Sequence, residues 1–288
     1  MDAFPSIAEV FQPLRIDRNV VRFEAPHIGG ALITSRLFGG QTIAQTQLAV
    51  ELLYPDFHVL SVRNCFVSPG SVKIPIDCVV DQVPGAPFLN VVLYQDAKLI
   101  STAKVKIGTA DDILDTTNYS IPAVKGPFLY PTMAEQLNKY PSNILLNKLV
   151  EWDLFDVRPI EFSKMAFKGD ESKPFVAWFT VTDSQRRQPF PEKSGKAMLA
   201  IMSDFWSVQS CSENYHRLAR SKQHSPMTLN HVFTYHTAEK LNPLAWYLVQ
   251  TECNVHSNNR FLMNGQIFDS SGNCVLSFEQ EGYRAGSV

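Results

Sequence analysis

A chain of 288 residues, 45% of them hydrophobic, is long enough for one large core or two small ones. Its 26 basic and 28 acidic side chains nearly cancel, so the summed field favours neither nucleic acid nor an anionic membrane surface, and an anionic ligand must be caught by local donors. The cysteines (Cys65, Cys78, Cys211, Cys253 and Cys274) form no CxxC pair, which points to reduced thiols in an intracellular protein.

The first third reads as strands around one helix. "VVRFE" (20–24) is a short β-like run, and "GGQTIAQTQLAVELLY" (39–54) places Ile43, Ala44, Leu48, Leu52 and Leu53 near helical period. Four runs rich in β-branched residues follow at 58–67, 72–83, 87–96 and 98–108, broken by "SPG", "PGAP" and "QDAK". Residues 111–150 carry prolines and turn formers and read as a linker, with a short helix at "TMAEQLNKY". The remainder, 151–288, repeats the plan of 1–110. Strand-like 153–162 and 175–181 precede a helix around "AMLAIMSDFWSVQSC" (197–211), and strands return at 228–236, 245–256, 260–269 and 274–284. The closing hairpins superpose in pattern, matching Gly108 with Gly282 and Asp96 with Asp269. Two copies of this length imply a duplicated domain rather than a solenoid. One helix wrapped by antiparallel strands, twice over, predicts an α+β double hotdog. Its central helices should be apolar almost all round, because the curved sheets enclose them.

Asp204 violates that expectation. It sits among Ala200, Ile201, Met202, Phe205, Trp206 and Val208, and an ionised carboxylate costs several kcal/mol to bury without partners. No G-x-S-x-G, HExxH, GxGxxG or P-loop string is present, so the hydrolase elbow, zincin and nucleotide-binding readings lack their signatures. No metal or other cofactor is expected. None of the histidines follows an aspartate by five residues, the spacing that hotdog hydratases share. His231, His236 and His256 read as packing or surface residues, and Cys211 as a small hydrophobe.

"LFGGQTIAQTQLAV", "VLSVRNCFVSPGS", "MSDFW", "MTLNHVFTYH" and "SFEQEGYR" together resemble, in order and over nearly the whole chain, the acyl-CoA thioesterase II family. The resemblance implies a double hotdog that hydrolyses fatty acyl-CoA to free fatty acid and CoA. Carried over residue by residue, it places the catalytic set on Asp204, Thr228 and Gln280, with an attacking water held between them. It also implies substrate binding at Gly39, Gly40 and Gln41, where a helix N-terminus offers free N–H groups to an oxyanion, and at Arg260. The chain departs from the family at Leu60 and Arg63, where histidines are common, and in "PFLNVVLYQ", where an arginine is common. Those departures keep a second reading open: a catalytically degenerate double hotdog that binds acyl-CoA or a protein partner without turnover. The partners expected are acyl-CoA and further copies of the chain, with no nucleic acid and no membrane. There is no basic-then-apolar leader, no apolar run of about 18 residues and no serine-lysine-leucine tail; a cytoplasmic homo-oligomer is the expectation, with a peroxisomal location as the alternative.

Overall fold

The computed structural model describes residues 5–114, 119–137, 139, 144–165, 173–205, 226–257 and 260–284. In chain order the helices are α1 (Ile7–Val10), α2 (Gly39–Leu53), α3 (Met133–Leu137), α4 (Ile144–Trp152), α5 (Phe162–Met165) and α6 (Ser194–Phe205). The strands are β1 (Leu14–Arg15), β2 (Val20–Phe23), β3 (His58–Phe66), β4 (Ile76–Gln82), β5 (Phe88–Gln95), β6 (Lys98–Gly108), β7 (Phe155–Pro159), β8 (Phe175–Val181), β9 (Pro226–Tyr235), β10 (Tyr247–Ser257), β11 (Arg260–Phe268) and β12 (Cys274–Arg284).

All twelve strands join one sheet in the order β1-β2-β4-β5-β6-β3-β9-β12-β11-β10-β8-β7. The seam between the halves is the antiparallel pair β3–β9, with Val62 opposite Phe233 and Asn64 opposite His231. Pairing these two edges removes what would otherwise be two long templates for foreign strands. Alternation along the strands sends one face inward: in β5, Leu89, Val91 and Leu93 are buried while Asn90 is exposed. The inward faces of both halves close over α2 and α6, which pack against each other in one continuous core.

The two helices run in opposite directions. Gly39 and Gly40, at the start of α2, lie against Asp204 near the end of α6. At the far end, Lys193 Nζ donates to the Glu51 carbonyl, and the Tyr235 hydroxyl reaches both Gln47 and the Lys196 carbonyl. Every residue of α6 except Lys196 is buried. Helix α2 is just as deeply enclosed but is not apolar, contrary to the expectation: Gln41, Thr42, Gln45, Thr46, Gln47 and Glu51 are all buried. Most of their polar atoms find partners inside the fold, although Gln45 Oε1 and one Glu51 carboxylate oxygen do not. Gln45 Nε2 donates to the Val10 carbonyl, Thr46 Oγ1 to the Thr42 carbonyl and Gln47 Nε2 to Glu51, which removes most of the cost of burying them.

The connecting segment also packs. Met133, Leu149 and Trp152 enter the core, and the Trp152 ring stacks on Phe205 (5.4 Å between centroids) and meets Phe38 edge-on (4.8 Å). Trp206, Val208 and Cys211, part of the predicted helix, lie outside the described residues.

Candidate active site

Three elements of the second half and the head of a helix from the first converge on Asp204. Helix α6 carries the carboxylate, 8% exposed, with one face turned to the core and the other to a cleft of about 430 Å³. Gln280 comes from β12, where alternation turns it inward, and is fully buried. Its Nε2 donates to Asp204 Oδ1 at 2.5 Å and to Thr228 Oγ1 at 2.5 Å. Thr228 Oγ1 donates in turn to Asp204 Oδ1 at 3.4 Å. The burial penalty raised by the sequence is thus met by hydrogen bonds to the charged form.

The side chains touch one another directly, so a water cannot lie inside the triangle as the sequence reading has it. Asp204 and Thr228 line the cleft; Gln280 does not. Gln280 therefore acts on the carboxylate and the hydroxyl and leaves the cleft side of Asp204, where Oδ2 lies near Gly39, to a water or substrate.

His231 packs into the same cluster, as a neighbour of Asp204 that the sequence does not mark. It is fully buried, with Nε2 3.1 Å from Ser203 Oγ and Nδ1 3.7 Å from Asp204 Oδ1. The last distance is too long for a hydrogen bond. Strict alternation from Thr228 sends His231 to the opposite face of β9. The structure escapes this through a bulge: β12 residues Glu281 and Gly282 pair with Asn230 and Thr228, so Leu229 is the extra residue. A bulge re-aims the side chains on one flank, and both Thr228 and His231 end near Asp204. No sequence signal marks this bulge.

The head of α2 forms the facing wall. Phe38 caps the helix without a side-chain acceptor, which leaves the first-turn N–H groups available and the positive end of the helix dipole beside the carboxylate. A Cβ on Gly39 would come within 2.9 Å of Asp204 Oδ2 and 3.0 Å of Phe66; one on Gly40 would come within 3.0 Å of Asp204 Cβ and 2.8 Å of Phe38. Only glycine allows this approach of helix and carboxylate.

Gln41 and Arg260 do other things. Gln41 is fully buried and turned away from the cleft; its Oε1 accepts from Ile28 N–H at 2.7 Å and its Nε2 contacts His27 Nδ1 at 3.0 Å. It ties the incoming loop to the helix head. His27 Nε2 reaches the Ile74 carbonyl (3.1 Å), and burial pushes its pKa down to about 4. Arg260 is an exposed residue at the start of β11 that pairs with Glu281 and does not line the cleft. Its charge is already compensated by Glu281, which lies diagonally from it on the neighbouring strand, where Tyr283 is directly opposite. No cluster of His, Cys, Asp and Glu among the described residues could hold a metal ion, and no helix among them is long and apolar enough to cross a membrane.

Phe38, Phe66, Val67, Ile100, Trp152, Phe205 and Leu229 give the cleft largely apolar walls. A carboxylate oriented from behind, a helix N-terminus in front and an apolar groove between them suit the attack of water on a polarised carbonyl attached to an acyl chain.

Comparison with known proteins gives the same direction. Residues 141–284, half of the chain, match the family described as the acyl-CoA thioesterase C-terminal domain. The chain is 24% identical to acyl-CoA thioesterase 2 of Haemophilus influenzae, over 98% of this chain and 97% of that protein. Its fold is similar to the crystal structure of the acyl-CoA thioesterase II TesB2 from Mycobacterium marinum, with a TM-score of 0.72 at 20% identity over 98% of this chain and 99% of that one. It is also similar, with a TM-score of 0.58 at 10% identity over 98% of this chain and 100% of that one, to the dehydratase domain of RzxB from Pseudomonas fluorescens, so the fold alone does not select a chemistry. The family match does: the chain belongs to the acyl-CoA thioesterase II family of thioester hydrolases, built as a double hotdog.

Proposed function

We propose that this protein hydrolyses acyl-CoA to a free acid and CoA, with Asp204 as general base. The observation that carries the reading is the direct Asp204–Thr228–Gln280 triangle facing Gly39 across an apolar cleft. Gln280 and Thr228 occupy Asp204 Oδ1 and fix the plane of the carboxylate. A water on the cleft side gives its proton to Asp204 as its oxygen bonds to the thioester carbon. The developing oxyanion faces the N–H groups at the head of α2. Collapse of the tetrahedral intermediate breaks the carbon–sulfur bond and expels the thiolate of CoA, which takes up the proton held by Asp204. A thiolate leaves readily, since a free thiol has a pKa near 8.5. No covalent intermediate is needed.

The test is thiol release from acyl-CoAs of graded chain length, by wild type and by Asp204→Asn. Turnover by wild type and its loss in the variant support the reading. Binding of acyl-CoA without turnover by the wild type would instead favour a degenerate, ligand-binding double hotdog. Association into a homo-oligomer is part of the same proposal, and sedimentation as a clean 32.4 kDa species would overturn it.

A further inference from the structure

Among the described residues that line the cleft, two carry a charge: Asp204 and Arg36. The other described arginines with ion pairs show what this one lacks. Arg22 meets Asp77 through two hydrogen bonds, Arg158 meets Asp156, Arg186 approaches Asp183, and Arg260 meets Glu281. Arg36 has no carboxylate within ion-pair distance among the described residues, although its side chain is half-buried. Burial is the cause that lowers its pKa, whereas Asp77 raises that of Arg22. A guanidinium that gives up part of its hydration without a counter-charge is unfavourable in the free protein and suited to an incoming anion.

The backbone at Arg36 is held. It bridges Ser71, its N–H donates to the Ile33 carbonyl at 3.1 Å, and its own carbonyl accepts from Gly30 N–H at 3.0 Å. Leu32, Ile33 and Val67 share the cleft and are 39%, 38% and 52% exposed, so this flank is its open rim. Arg36 and Gly39 are three steps apart along the chain, with Leu37 and Phe38 between them, a span of at most about 11 Å. A flexible arm such as the one between the sulfur and the diphosphate of CoA bridges a gap of that order. The apolar wall is left to the acyl chain. Because the net charge of the protein is close to zero, a local cation must hold an anionic substrate.

We infer that Arg36 anchors a phosphate group of the CoA moiety at the rim of the cleft, its planar fork matching two phosphate oxygens. This assignment rests on the thioesterase reading for its substrate, but its test does not depend on turnover alone.

The experiment compares wild type with Arg36→Gln and Arg36→Lys on one acyl group carried either by CoA or by N-acetylcysteamine, which has no phosphate. In Arg36→Gln the ratio of kcat/KM for the CoA ester to that for the N-acetylcysteamine ester should fall by about tenfold, the value of one charge-assisted contact. The fall should come through KM, and Arg36→Lys should restore part of it. An unchanged ratio overturns the assignment. So does a loss confined to esters of a dicarboxylic acid and equal on both carriers, which would place the arginine at the far end of the acyl chain. Calorimetric titration with CoA itself decides the matter if wild type hydrolyses neither ester: Arg36→Gln should weaken CoA about tenfold and leave pantetheine alone, and equal affinities would refute the anchor.

Discussion

The paired helices create two ends of similar construction and opposite character. At each, the head of one central helix meets the tail of the other, and each holds a buried carboxylate: Asp204 at one, Glu51 at the other. Glu51 sits among cations. Lys196 and Lys193 draw its pKa down while burial, the stronger influence, holds it above the ordinary value. The cleft beside it, about 320 Å³, is lined by Glu192, Lys193, Lys196, Glu239 and Lys240 and offers little to an acyl chain. Glu51 also accepts from neutral Gln47; Asp204 is held by Gln280 and Thr228 and faces an aromatic, apolar groove. A buried carboxylate on a hotdog helix is therefore not a catalyst in itself; its donors and the surface it faces make the difference.

The sharpest way to break this comparison is to remove the charge at the Asp204 end. Asp204→Asn should lower thioester hydrolysis by roughly 10²-fold or more with the fold retained, since the amide keeps the shape; circular dichroism and turnover measured together check it. Hydrolysis that persists unchanged would place the base elsewhere.

A second contrast lies in pH. Among the described residues, the Asp204 end has its helix head tied down through a histidine, by the Gln41–His27 contact. The folded pKa of His27, about 4, lies below the unfolded value near 6.5. The sign follows: its contribution to stability is present above pH 6.5 and lost as the pH falls toward 4, because the unfolded chain then binds the extra proton. The gap between 6.5 and about 4 sets a ceiling of roughly 3 kcal/mol. Denaturant titrations from pH 7 to 4 should show the decline, and His27→Gln should flatten it. Equal slopes in both proteins would remove His27 from the account.

Gln280→Ala and Thr228→Ala should each reduce kcat by about tenfold, the scale of one oriented hydrogen bond. In combination with Asp204→Asn their losses should fall well short of additive, since all act through one carboxylate; full additivity would contradict the triangle. The smallest effect belongs to the other end. Glu51→Gln keeps the contact to Gln47 and should change hydrolysis by less than about twofold. The raised pKa of Glu51 means that its favourable contribution fades as the pH rises through that value, so the variant should be as stable as wild type or more so at pH 8. A large loss of turnover would show that the two ends are coupled.

Much of this architecture was legible in the residues. Period-two runs bounded by Pro and Gly marked the long strands, and the matching hairpins around Gly108 and Gly282 marked the duplication. Asp204 stood out because an acid amid Ile201, Met202 and Phe205 demands partners. Three things were hidden for physical reasons. The expectation of apolar central helices did not foresee the buried polar residues of α2, because Gln41, Gln45 and Gln47 bond to loops and side chains distant in sequence. The placement of His231 depends on a bulge at Leu229 that alternation cannot foresee. Arg36 carries no mark in the sequence, since the absence of a counter-ion is a property of space and not of sequence.

The seam between β3 and β9 has a consequence for how such a molecule can change. Were the two halves separate, identical chains related by symmetry, any substitution near one helix pair would appear at both ends. The covalent join means that each substitution occurs once. Glu51 could gain lysines, and Asp204 a threonine and a glutamine, without either change being imposed on the other. Asymmetry of chemistry within a nearly symmetric frame is what joining the two halves in one chain permits.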